Sequence, residues 1–194
     1  MAELTEIRIE GRGGLGNVVA AYTLARAAFE DGRFAQAYPS FGPERRGAPV
    51  SAFVRISDCP IKRRCQVREP RYVIIQDPSL LHIASIGDGV LPGGGILINS
   101  SKDIAPSRFP SVAHVTTIPA TAVAMQMLGE PIPNIALLAA FLALTELVPL
   151  AALQKVLAHR FEGDTLNRNL QLMREAAARV TPASWKDTRH AAAD

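Results

Sequence analysis

The chain of 194 residues is poor in the side chains that build metal centres. It has two cysteines, Cys59 and Cys65. Common iron–sulfur clusters take four cysteine ligands, so this pair cannot hold one alone. Their spacing is not Cys-x-x-Cys, which removes the thioredoxin motif and the zinc knuckle. Two reduced thiols in a cytoplasmic protein are expected. The four histidines, His82, His114, His159 and His190, are scattered without metal-ligand spacing. No metal site is expected, and no catalytic constellation stands out. Ser40 lies outside any Gly-x-Ser-x-Gly elbow, so a serine hydrolase has no support.

Charge of one sign is also scarce. The formal charge is +3, and the basic residues concentrate at Arg45-Arg46 and Lys62-Arg63-Arg64. A face for nucleic acid shows more basic residues with aromatics between them, so no nucleic-acid partner is expected. The most apolar run, Ile135 to Leu144, is well short of the roughly 20 residues that cross a bilayer. It reads as a helix buried all round, within the core or against a partner. No membrane association is expected. The first ten residues alternate charged and apolar side chains, unlike a secretory signal.

What is present is an alternation of strands and helices. Thr5–Glu10 alternates apolar and polar residues and predicts a strand. From Leu15, apolar residues recur at helical spacing to Phe29, with Gly32 as a stop. Phe34–Tyr38 and Val50–Ile56 predict two further strands. Tyr72–Gln76 is a continuous apolar run of the kind buried on both faces in a parallel sheet, with Asp77-Pro78 as a helix start. Ile96–Asn99 and His114–Ile118 continue the series. Helices are predicted over 120–128, 134–147, 150–160 and 164–179, with Asn134 as an N-cap. The fold class is α/β: a doubly wound, mainly parallel sheet with a helical C-terminal part. One domain is expected over 1–180. A tail over 181–194, containing Trp185, is expected to fray or to dock on a partner.

Two stretches carry the chemistry. Gly11-Arg-Gly-Gly-Leu-Gly16 follows a strand and opens a helix. Its glycines let a ligand approach the backbone, and the helix N-terminus offers unpaired N–H groups to an anion. Arg12 adds a charge suited to phosphate. The acidic residue that would bind a ribose at the end of the second strand is missing, so a dinucleotide is not indicated. The second stretch is 38–49, Tyr-Pro-Ser-Phe-Gly-Pro-Glu-Arg-Arg-Gly-Ala-Pro, whose prolines and glycines predict a shaped loop. The two loops are expected side by side at one sheet edge. Gly87-Asp88-Gly89 resembles part of a thiamine diphosphate fingerprint, but its interval to Asn99 is too short, and it reads as a turn.

The Gly-Arg-Gly-Gly-x-Gly turn and the string Ser-Phe-Gly-Pro-Glu-Arg-Arg-Gly together resemble the gamma subunit, or gamma domain, of 2-oxoacid:ferredoxin oxidoreductases, such as the pyruvate and 2-ketoisovalerate enzymes. The similarity runs on through Tyr72–Asp77, Leu91–Asn99 and the helix after Asn134, up to about residue 180. The resemblance implies a subunit of a complex that oxidatively decarboxylates a 2-oxoacid, usually to an acyl-CoA, passing electrons to ferredoxin or another acceptor. It implies thiamine diphosphate and [4Fe-4S] clusters in alpha, beta and ferredoxin-like partner subunits. At this subunit it implies an accessory part in binding coenzyme A. The residues expected there are Arg12, Gly13, Gly14, Gly16, Asn17, Ser40, Phe41, Gly42, Glu44, Arg45 and Arg46. Leu15 departs from the family's common glutamine, which removes a side-chain amide and leaves a backbone-based site intact. Arg45 and Arg46 could instead form ion pairs across a subunit interface, where arginine is common. The other function left open is a stand-alone nucleotide- or CoA-binding module without redox activity.

Overall fold

The computed structural model describes residues 4–41 and 49–186. Among the described residues, six strands form one sheet in the order β2-β3-β1-β4-β5-β6. They are β1 (Leu4–Arg12), β2 (Phe34–Phe41), β3 (Pro49–Ser57), β4 (Tyr72–Ile75), β5 (Gly95–Asn99) and β6 (His114–Ile118). Five helices accompany them: α1 (Asn17–Glu30), α2 (Ala120–Leu128), α3 (Asn134–Thr145), α4 (Leu150–Arg160) and α5 (Gly163–Ala178). β1, β4, β5 and β6 are mutually parallel. β2 and β3 form an antiparallel hairpin, and β3 runs antiparallel to β1. The expected α/β architecture and all six expected strands are present.

The two faces of the sheet are covered differently. Alternate strand residues, among them Ile7, Ile9, Val54, Ile74 and Leu97, share one core with residues from all five helices. On the opposite face Val73, Ile75, Ile96 and Ile98 pack with Leu80, Ile86, Val90 and Phe109. That face carries short 3-10 turns at Pro78–His82 and Ala84–Gly87. Asp77 caps the first of them as expected: its Oδ1 accepts from the Ser79 N–H at 2.8 Å, with Pro78 following.

Apolar side chains all round make α3 the buried pillar of the helical layer. Every residue from Ile135 to Thr145 is buried. Its neighbours are α5, α1, α2 and α4 of the same chain, so the run reads as a core element. Thr145 ends it by donating to the Phe141 carbonyl and accepting from the Leu147 N–H.

Three expectations are corrected. First, residues 38–41 are not loop. β2 continues through Pro39 and Ser40 to Phe41, in register with Val50 to Phe53 of β3. Proline is tolerated because β2 is the edge strand. Second, Asn134 is the first helical residue of α3, with Pro133 at the cap position. Third, Trp185 neither frays nor waits for a partner. It is 3% exposed and stacks on Tyr72 at 6.0 Å and His114 at 5.9 Å between ring centres. The N–H groups of Ala183 and Trp185 donate to the carbonyls of Ala143 and Leu144, which fastens 183–185 to the end of α3.

The basic connection between β3 and β4 is held from below. Arg55 on β3 is wholly buried. Its Nε donates to Glu6 Oε1 at 2.6 Å and its Nη2 to the Cys65 carbonyl at 2.6 Å. Its guanidinium carbon lies 5.4 Å from the centre of the Tyr38 ring, and the Tyr38 hydroxyl donates to the same Cys65 carbonyl. Lys62, Arg63 and Arg64 are thereby carried on the surface over this buried anchor.

Candidate functional site

Parallel pairing puts the C-terminal ends of β1, β4, β5 and β6 along one edge of the sheet. Arg12 at the end of β1 pairs with Pro49 at the start of β3, and Val50 pairs with Phe41. The glycine turn therefore lies beside the ends of β2 and β3 at Phe41 and Pro49; most of the second expected loop falls outside the described residues. Gly42, Glu44, Arg45 and Arg46 lie outside the described residues. β1 is flanked by the hairpin on one side and by β4 on the other. In open α/β sheets, a crevice where strand order reverses is the common place for a ligand.

Local sequence shapes the turn. Gly14 has φ +98° and Gly16 φ +79°, both in the left-handed region that glycine enters without strain. Gly13 and Gly14 are exposed, and a side chain added at either would meet nothing within 4 Å. Gly16 is the N-cap of α1 and gives it no side-chain cap; no acidic residue occupies the first turn. The first intrahelical bond runs from the Ala20 N–H to the Gly16 carbonyl. The amides of Asn17, Val18 and Val19 thus precede the helical ladder and face the end of the helix. Open backbone, unpaired donors and the positive end of a helix dipole together suit an anionic oxygen.

The expected side chains divide. Arg12 is already engaged: its Nε lies 2.9 Å from Asp77 Oδ2 and 3.1 Å from Ser79 Oγ, tying β1 to the turn after β4. Asn17 is 3% exposed. Its Nδ2 donates to the Val50 carbonyl at 3.0 Å, while its Oδ1 has no hydrogen-bond partner among the described residues. Ser40 sits in β2 opposite Ser51. Ser51 donates to Glu10 Oε2 at 2.7 Å.

Sequence reasoning missed two residues at this edge, Glu10 and Gln76, and read a third, Asn134, only as a helix cap. Glu10 is 6% exposed, and burial pushes its carboxyl above the ordinary range; the Ser51 bond and the Arg8 charge oppose that shift without cancelling it. Arg8 Nε lies 2.9 Å from Glu10 Oε1 but off the hydrogen-bonding direction, so this contact is ionic only. Gln76, directly after β4, is 1% exposed, and both of its amide atoms lack partners among the described residues. Asn134 touches the turn itself: a methyl group at Gly16 would stand 2.7 Å from its Nδ2. The available signal was positional. Each stands at a strand end or helix start facing the edge where ligands bind in such folds.

Residues 6–179 match the pyruvate ferredoxin/flavodoxin oxidoreductase family. The chain belongs to this family. Similar proteins include pyruvate synthase subunit PorC of Methanosarcina barkeri, 48% identical over 78% of this chain and 83% of its own. The common gamma subunit of the pyruvate/ketoisovalerate oxidoreductases of Thermococcus kodakarensis is 40% identical over 89% and 95%. The crystal structure of pyruvate oxidoreductase subunit PORC from Thermotoga maritima superposes with a TM-score of 0.79 at 32% identity, covering 91% of this chain and 96% of the other. Within the oxidoreductase family this chain is a gamma-type subunit, and the match extends over both loops of the candidate site and all five helices. No helix among the described residues is long and apolar enough to cross a membrane.

Proposed function

We propose that this gamma-type subunit completes a cytoplasmic 2-oxoacid oxidoreductase complex and that the C-terminal edge of its sheet helps to bind coenzyme A. The overall reaction cleaves the bond between the carboxylate and the 2-oxo carbon. The acyl group passes to the thiol of coenzyme A, carbon dioxide leaves, and two electrons go to ferredoxin or another acceptor. Thiamine diphosphate and iron–sulfur clusters, in the alpha, beta and ferredoxin-like partners, supply the bond cleavage and the electron path.

The observation that carries the reading is the open Gly13–Gly14 backbone leading into an uncapped α1. A phosphate of coenzyme A fits such a cradle: among the described residues nothing lies within 4 Å of a side chain added at Gly13 or Gly14, and no carboxylate of the first turn repels an anion. Arg12 holds the turn in place through Asp77. Arg45 and Arg46, which lie between β2 and β3 in the chain, are assigned as contacts to phosphate or carboxylate, with Glu44 orienting one of them.

The test uses the assembled complex. Arg45→Ala and Arg46→Ala should each weaken coenzyme A binding by about 1.5–3 kcal/mol, the worth of a charge-assisted hydrogen bond. Subunit composition is measured alongside by size-exclusion chromatography. A complex that dissociates while its coenzyme A affinity is unchanged would assign both arginines to an interface.

A further inference from the structure

The outer rim of β2 is open. The carbonyls of Glu6 and Glu10 accept from the amides of Arg71 and Gln76, so the even-numbered residues of β1 face β4 and the odd-numbered ones face β3. Thr5 and Ile7 therefore bond to Ile56 and Val54, whose backbone groups turn away from β2. Ala35 and Ala37 stand opposite Ile56 and Val54, so their own N–H and C=O groups point out from the sheet. Pro39 falls in the same phase, where its missing N–H costs no ladder bond. The rungs at Ala35 and Ala37 have no backbone partner among the described residues.

A basic wall is built beside these rungs. Gln36 Nε2 donates to the Ile61 carbonyl at 3.0 Å, and the Tyr38 hydroxyl donates to the Cys65 carbonyl at 2.8 Å. Arg55 holds that Cys65 carbonyl from within. The segment 62–64 is thus fastened at both ends to the edge strand. Arg63 and Arg64 are exposed and have no ion-pair partner among the described residues. With Ala35, Gln36, Ala37 and Tyr38 they line a groove of about 580 Å³. On the other face of the strand Ala35 and Ala37 are small and pack on the helical core. Phe34, 46% exposed, stands at the start of the strand.

We infer that β2 takes up an extended acidic segment of a partner polypeptide as a further strand. Its backbone pairs with Ala35 and Ala37, the source of affinity when a strand is added to a sheet edge. Its side chains alternate between the two faces. Carboxylates on one face meet Arg63 and Arg64, and apolar side chains on the other cover the alanines. A second copy of this chain is disfavoured as the occupant. Antiparallel pairing of β2 with itself would bring Arg63 and Arg64 of both copies to the same face of one rim. The inference stands on this edge and not on the coenzyme A reading.

The experiment is calorimetric titration of the purified full chain with an acetylated, amidated peptide. The peptide alternates glutamate and valine over about six residues, the usual strand length. Its control alternates lysine and valine. The glutamate peptide should bind saturably and about tenfold or more tighter than the lysine peptide. Arg63→Glu combined with Arg64→Glu, both exposed changes, should reverse that preference. Amide hydrogen exchange, read residue by residue by NMR, should slow at Ala35 and Ala37 when the peptide binds. Gln36 and Tyr38, whose amides face β3, should be slow without it.

No saturable binding to the folded chain overturns the inference and would mean that the arginines only guard the edge against pairing. Equal affinity for the two peptides, or binding that leaves Ala35 and Ala37 exchanging freely, also overturns it. Slow exchange of both amides in the peptide-free chain does the same. It would assign the edge to a second copy if the chain sediments as a dimer, and to another part of this chain if it sediments as a monomer. Coenzyme A affinity of the Arg45 and Arg46 variants is a separate readout, so the two readings fail independently.

Discussion

Asn134 and Gly16 are interlocked. The Nδ2 of Asn134, at the start of α3, occupies the space that a side chain at position 16 would take. Gly16 also holds φ +79°. The first residue of the buried pillar thus sets the position of the turn that opens α1, which joins the helical layer to the candidate site.

Gly16→Ala should therefore fail twice, through left-handed strain and through the clash. Together these should cost about 1–3 kcal/mol. The measurement is urea denaturation of Gly16→Ala beside Gly13→Ala, which meets open space and keeps an ordinary φ. Equal losses at the two positions would show that Asn134 does not constrain the turn.

Arg55→Met should be among the most damaging single changes. It leaves Glu6 and the Cys65 carbonyl without their buried donor. Breaking a buried pair from one side costs about 3–5 kcal/mol. The segment above should also loosen, so trypsin should cut after Lys62, Arg63 or Arg64 faster than in the parent chain. A variant with parental stability and parental cleavage kinetics would remove Arg55 as the anchor.

Glu10 makes a prediction about pH. Its folded pKa lies above the ordinary 4.5, chiefly through burial. The folded chain therefore holds this proton more tightly than the unfolded chain does. Stability relative to Glu10→Gln should be unaffected below the unfolded value. It should fall as pH rises from there through the raised folded value, then level off. Denaturant melts of both proteins across a pH series give the difference directly. A rise over that window would contradict the sign.

Trp185→Ala should cost about 3–5 kcal/mol, the usual loss for emptying a large aromatic site. The side chain is stacked against Tyr72 and His114 and pressed on Gly95. Truncation after residue 182 should destabilise comparably, as read by thermal melting. A truncated chain that melts like the full one would mean that the tail contributes no core.

The sequence by itself determined the element list, the parallel part of the sheet and the glycine turn at its edge. Those follow from local causes: alternation in β1, the continuous apolar run of β4, and glycines where φ must be positive. It also carried the family, because the Gly-Arg-Gly-Gly turn and the hairpin string are contiguous in the chain. Only the tertiary structure decided the rest. Pro39 reads as a loop residue until β2 is seen at the sheet edge, where a missing donor is tolerated. Trp185 reads as tail until 183–185 fasten to the end of α3. Gln76 and Asn134 look like ordinary amides in sequence. Gln76 gains its significance from burial with both amide atoms unpaired among the described residues, and Asn134 from its contact with Gly16; both depend on residues far away in the chain.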